Sequence, residues 1–141
     1  MSFLKKLFNH THTYKEDINM TNKDKALALI NTFATGDTDA AKNLLAEGYI
    51  QHNTGIADGL SGLGAALEAL GKQGIQMIYD QTYQVLADGN YGLAVSEGSF
   101  GGAHTSYYDL FRVENGKIVE HWDVMETIAD ESTWQNQNGK F

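Results

Sequence analysis

An α+β domain is the fold class this sequence predicts, and three observations predict it. Apolar residues recur with the 3.6-residue period of helices as far as about residue 71. After Gly74 the period drops to 2, and aromatic and β-branched residues accumulate. Turn signals at Asp88-Gly89-Asn90 and Glu114-Asn115-Gly116 then punctuate the strand-like runs as in an antiparallel meander. Helices that precede strands, rather than alternate with them, give segregated layers. The 141 residues suffice for one domain that buries roughly two-thirds of its unfolded surface.

Residues 1–20 read as a flexible or loosely docked leader, and residues 21–141 as the single domain. In the leader, Phe3, Leu4, Leu7 and Phe8 flank Lys5 and Lys6 as a short amphipathic turn, and His10 and His12 alternate without acidic partners. Ala26, Leu29, Ile30 and Phe33 predict a helix over 22–35, capped by Thr21 or Asn22 and stopped at Gly36. Asp37 and Thr38 open a second helix that runs to about Glu47 and ends at Gly48. Tyr49–Asn53 is extended, and a glycine-rich loop follows from Thr54 to Gly59. A third helix covers 60–71, where Gly62 and Gly64 each cost about 1 kcal/mol relative to alanine, so it needs tertiary support and suits a lid. Strands are predicted over 75–87, 91–100, 104–113 and 117–127. Trp134 lies in a polar tail that docks on the domain or on a partner chain.

Composition narrows the chemistry. There is no cysteine, hence no disulfide, zinc finger, iron–sulfur cluster or thiol nucleophile. Ten basic residues against eighteen acidic ones give a net charge of -8, and Arg112 is the only arginine, so nucleic acid is excluded as a partner. No apolar run approaches the ~18 residues of a membrane span. The start of the chain does not read as a secretion signal, so a cytoplasmic location is expected. No motif implies a cofactor. His52, His104 and His121 lack the pairwise spacing of familiar sites, so no metal is expected.

The segment from Tyr107 to Asp123 is one hairpin carrying Asp109, His121 and Asp123. Strand parity puts His121 and Asp123 on one face. A two-residue Asn115-Gly116 turn sets Asp109 opposite Trp122. A three-residue turn with a Gly116 bulge sets it opposite His121. The second register also aligns Tyr107, Phe111, Val119 and Met125 with the three polar residues, making an apolar pocket with convergent ionisable groups. A carboxylate in such a pocket has its pKa raised, and a neighbouring histidine can share its proton, which is the equipment of general acid/base catalysis.

The run Asp109-Leu110-Phe111-Arg112-Val113-Glu114-Asn115-Gly116-Lys117-Ile118-Val119-Glu120-His121-Trp122-Asp123 resembles the C-terminal signature of SnoaL-like proteins. That family sits in the superfamily of nuclear transport factor two, ketosteroid isomerase and scytalone dehydratase. Tyr49-Ile50-Gln51-His52-Asn53, followed by Asp58-Gly59 and a helix, resembles its N-terminal signature. The likeness spans about residues 22–128. It implies a cone-shaped barrel, three helices packed on a curved antiparallel sheet around a hydrophobic pocket, and it favours the register that joins Asp109 to His121. It further implies Asp123 as acid/base, Asp109 as its rival, His121 as the orienting group, and His52 as a catalytic group at the pocket rim beside Asn53 and Tyr49, where His52, Tyr49 or Tyr107 stabilises an enolate oxygen. Phe100, His104, Tyr107, Phe111 and Met125 complete the expected lining. Thr54 stands where the family often has proline after His-Asn. The expected ligand is a small, mostly apolar molecule, bound for cofactor-free isomerisation, cyclisation or dehydration. The alternative is a non-catalytic binding or dimerisation module. The expected assembly is a homodimer through the outer sheet face.

Overall fold

Helix α1 (Asn22–Thr35) opens a computed structural model that describes residues 21–141, apart from residue 36 and the side chains of residues 33–35. The expectations for residues 1–20, for Phe33 and for Gly36 lie outside the described residues. Thr21 is the cap of α1: its Oγ1 accepts from the Asp24 N–H at 3.1 Å, and Asp24 Oδ2 accepts from the Thr21 N–H at 3.0 Å. This reciprocal pair satisfies two backbone donors that no helical carbonyl reaches. Asn22 instead reaches out to the Gly89 carbonyl at 2.6 Å.

Helix α2 is Thr38–Leu44, capped by Asp37. It ends three residues earlier than its apolar spacing predicts, because Leu45 already belongs to a strand, β1 (Leu45–Gln51). Gly48 therefore lies inside β1 rather than stopping a helix. Helix α3 (Gly59–Lys72) follows the loop. Gly62 is buried there, and a Cβ on it would lie 1.9 Å from the Ala57 carbonyl oxygen, so the helix folds tightly onto its own preceding loop. Glycine costs propensity at this position and permits the approach.

Four strands complete the chain: β2 (Met77–Asp88), β3 (Tyr91–Phe100), β4 (Ala103–Glu114) and β5 (Lys117–Thr127). The sheet order is β1-β5-β4-β3-β2. The β2–β5 meander is antiparallel, but β1 joins it parallel to β5, so the sheet is mixed rather than wholly antiparallel, and it does not close. The helices cover one face of this α+β cone. Leu29, Ile30, Tyr107, Phe111 and Ile118 are its most buried large apolar side chains, and burying each contributes roughly 1.5–3 kcal/mol. Lys25 ties α1 to the tip of the β4–β5 hairpin, its Nζ donating to the Gly116 carbonyl at 2.9 Å.

That hairpin follows neither predicted register. Asn115 and Gly116 both have positive φ (49° and 76°), giving the two-residue turn, with Val113 opposite Ile118. A bulge then inserts Val119, and beyond it Asp109 lies opposite Asp123 and Phe111 opposite His121. One extra residue on one strand swaps the faces of everything after it. Asp109, His121 and Asp123 thus share a face, as the second register expected, but through a different device, and Val119 is spent on the bulge. The C-terminal tail folds back on the domain. Trp134 Nε1 donates to the Ala129 carbonyl at 2.8 Å, and the Phe141 ring stacks on Tyr83 at 4.6 Å.

Candidate functional site

The inner face of the sheet holds a chain of polar groups under α1 and α3. Asp109 is 1% exposed, and its Oδ2 accepts from the Tyr79 hydroxyl at 3.1 Å. Its Oδ1 lies 2.9 Å from His121 Nε2. His121 Nδ1 lies 3.0 Å from Gln51 Oε1. Gln51 is there because β1 runs parallel to β5, which sets Gln51 beside His121 in the ladder.

The protonation pattern follows from this network. The Asn53 backbone N–H donates to Gln51 Oε1 at 3.0 Å, which fixes that atom as the oxygen. Gln51 Nε2 correspondingly donates to the Tyr49 hydroxyl at 3.3 Å. His121 Nδ1 must then be the N–H donor. Nε2 and Asp109 Oδ1 consequently share one proton, as a neutral pair or as imidazolium and carboxylate. Burial pushes the Asp109 carboxyl above its ordinary range, while the hydrogen bond and charge of His121 act the other way. Burial also raises the Tyr79 hydroxyl well above its usual value, with the Asp109 charge adding to the effect, so it remains a donor.

Asp123 lies two residues beyond His121 on β5 and directly opposite Asp109 on β4. Asn53 Nδ2 donates to its Oδ2 at 2.9 Å, leaving the other oxygen without a protein partner among the described residues. Asn53 is itself held by an Asx turn, its Oδ1 accepting from the Gly55 N–H at 3.0 Å. That turn shapes the loop beside Thr54. Asp109, His121 and Asp123 each offer an atom within 4.8 Å of the others, a donor set that suits a divalent ion as well as a proton. The hairpin and the i, i+2 spacing of His121 and Asp123 supply this convergence, which the spacing of histidine pairs does not reveal.

A small cavity of about 40 Å³ adjoins the trio, bordered also by Tyr49, Phe111 and Gln51. A larger one, of about 240 Å³, lies between α2 and α3, with Leu60, Leu67, Leu70 and Ile75 in its wall. Leu63 and Met77 border both spaces.

Of the residues expected from sequence, Asp109, His121, Asp123, Asn53, Tyr49 and Phe111 come together here. His52 does not. It follows Gln51 on the opposite side of the extended chain, where its ring stacks on Trp122 at 4.6 Å and its Nε2 donates to Glu120 Oε1 at 3.0 Å. His104 also turns outward, 2.7 Å from Glu97 Oε1, because it has the parity opposite to Asp109 on β4. Tyr107 is buried but fills the cone rather than lining a cavity: its ring stacks on Tyr79 at 4.2 Å and its hydroxyl donates to the Ser99 carbonyl. Phe100 and Met125 lie toward the strand ends, outside both cavities. Gln51 carried no expectation as a site residue, and Tyr79 belongs to an aromatic stripe expected mainly to pack the sheet, with one or two members lining the cavity.

The model of the SnoaL-like domain matches residues 26–121. The chain belongs to the SnoaL-like family. Solved structures agree at the level of the fold. An NTF2-like protein of unknown function from Cytophaga hutchinsonii is 19% identical, covers 77% of this chain and 92% of its own, and superposes with a TM-score of 0.65. A candidate polyketide cyclase from Sinorhizobium meliloti is 16% identical, with 77% and 98% covered and a TM-score of 0.62. A candidate ketosteroid isomerase from Kribbella flavida is 14% identical, with 84% and 91% covered and a TM-score of 0.65. No curated protein matches the chain. No helix among the described residues is long and apolar enough to cross a membrane.

Proposed function

We propose that this SnoaL-like protein catalyses proton transfer on a small, mostly apolar carbonyl compound by general acid/base chemistry without a cofactor. The single observation that carries this reading is the buried Asp109–His121 hydrogen bond with an Asp123 oxygen within 4.8 Å, all three beside the small cavity. In this scheme Asp123 removes a proton from the carbon next to the carbonyl. That C–H electron pair becomes the enol double bond, and the carbonyl oxygen takes the proton held between Asp109 and His121. In a β,γ-unsaturated ketone the enol is a dienol, and return of a proton to the γ carbon moves the double bond; in a dicarbonyl compound, attack of the enol carbon on the second carbonyl closes a ring. A positioned acid or base of this kind supplies about 10²–10⁴ in rate. Tyr49 and Gln51 fix the imidazole, and neither need exchange a proton. The relatives described as candidate cyclase and isomerase are compatible with this chemistry.

The test is deuterium incorporation next to the carbonyl of a simple ketone in D₂O. Exchange above the buffer rate that is lost in Asp123→Asn is the expected result. Exchange equal in the parent and in both Asp109→Asn and Asp123→Asn overturns the proposal.

For assembly, we infer a homodimer through the outer sheet face. Tyr91, Tyr108 and Val124 are exposed there (42%, 38% and 66%) around Trp122, an apolar surface of the kind that a second copy covers. Sedimentation should give twice the chain mass, and Val124→Asp should lower it.

A further inference from the structure

The two cavities differ in size and chemistry, and together they specify the form of the ligand. The space beside Asp109, His121 and Asp123, about 40 Å³, holds little more than one water-sized group. It is small because the stacked Tyr79 and Tyr107 rings and the buried Phe111 occupy the cone. A fused ring system has no room to place a reacting carbon there. The neighbouring space is about 240 Å³ and has leucine and isoleucine walls. An engineered cavity of about 150 Å³ with such walls takes benzene, so this one takes about ten carbon atoms. Its mouth is bordered by exposed Asp37, Thr38 and Lys42, which set a polar limit to the apolar body. Leu63 and Met77 border both spaces, so the two are neighbours separated by no more than these side chains.

We infer that the substrate is an open-chain aliphatic ketone or ketoacyl compound of about ten carbons, with its carbonyl end at the Asp109–His121–Asp123 trio and its chain in the groove between α2 and α3. The inference rests on the acid/base reading for the position of the carbonyl, and on the groove alone for the chain. It separates this chain from a catalyst for polycyclic substrates, which needs the reacting ring inside the cone. Leu67 and Leu70 bear on the length accepted, since they line the groove and not the space beside the trio.

Calorimetric titration of the full chain with 2-butanone, 2-hexanone, 2-decanone and 2-tetradecanone, with anthrone as the fused-ring probe, tests the assignment. The dissociation constant should fall about fourfold per added methylene up to about ten carbons and then level off. Anthrone should bind more weakly than 2-decanone. Leu67→Trp, or Leu70→Trp if the first does not fold, should flatten the dependence on length. An affinity that ignores chain length, or that favours anthrone, overturns the inference. So does a gain in 2-decanone affinity confined to the full-chain Leu7→Asp/Phe8→Asp variant, which would make the chain's own N-terminal segment the occupant. Deuterium exchange on the same ketones separates the two readings. Length-dependent binding without exchange sustains the groove and defeats the acid/base proposal. Exchange without length dependence does the reverse.

Discussion

The β4–β5 hairpin carries a histidine–carboxylate contact on each face, and the two make different chemistry from the same pair of groups. Inside, His121 and Asp109 are 2.9 Å apart, and both are buried. Outside, His52 and Glu120 are 3.0 Å apart, and the His52 side chain is 41% exposed. Burial raises the Asp109 carboxyl, whereas the hydrogen bonds from His52 and Arg112 lower that of Glu120. Hydrogen bonds from His52 and Arg112 hold Glu120 as an anion; desolvation keeps a proton within reach of Asp109. Distance alone therefore says little about function. The environment decides whether such a contact stores a proton or simply anchors a surface side chain.

Removing the inner carboxylates tests this contrast most severely. Asp123→Asn and Asp109→Asn should each lower ketone deuterium exchange by about 10²–10⁴, while Glu120→Gln should leave the exchange rate close to that of the parent. A comparable loss in Glu120→Gln would erase the distinction between the faces.

Stability should divide the same way. His121→Ala strips the buried Asp109 of its partner and should cost about 2–4 kcal/mol by denaturant unfolding. His52→Ala leaves Glu120 still bonded to Arg112 at 2.7 Å, so its shift in unfolding midpoint should be smaller.

Substitution by asparagine reads the protonation state of the inner pair. In Asp109→Asn the introduced amide nitrogen can donate to a lone pair on His121 Nε2, and the amide oxygen can still accept from Tyr79. If the pair is neutral, Asp109→Asn should stay within about 1 kcal/mol of the parent at neutral pH. A much larger loss would mean imidazolium facing carboxylate.

The smallest effect is on pH dependence. A carboxyl raised in the fold binds its proton more tightly folded than unfolded, so its stabilisation is complete below the unfolded value near 4 and declines as pH rises through the folded value. Glu120, lowered in the fold, contributes above its unfolded value and loses that contribution as pH falls. Urea unfolding from pH 3 to 8 should thus show a declining component that Asp109→Asn removes and Glu120→Gln does not.

Much of this was legible in the residues. The spacing of apolar side chains located α1 and α3 to within a residue or so, and the turn dipeptides bounded β3 and β5. Period 2 placed His121 with Asp123. The same parity, applied to Tyr49-Ile50-Gln51-His52-Asn53, would have put Gln51 inside and His52 outside, and applied to β4 it would have put His104 outside. His52 rested on the family resemblance and His104 on residue type, although the alternation already argued against both. Tyr79 gave no signal of its own, because a tyrosine among strand-forming neighbours reads as packing.

Periodicity and turn chemistry are local properties, so the order of residues alone specifies the layers of the fold, the hairpin and the groups able to move a proton. Which face each group occupies, and what surrounds it, came from packing. The Val119 bulge, the parallel pairing of β1 with β5 and the filling of the cone by Tyr79 and Tyr107 are long-range outcomes. A one-residue shift reverses a strand's faces, and burial sets the pKa of a carboxyl, so the chemistry of Asp109 depends on contacts far from it in the chain.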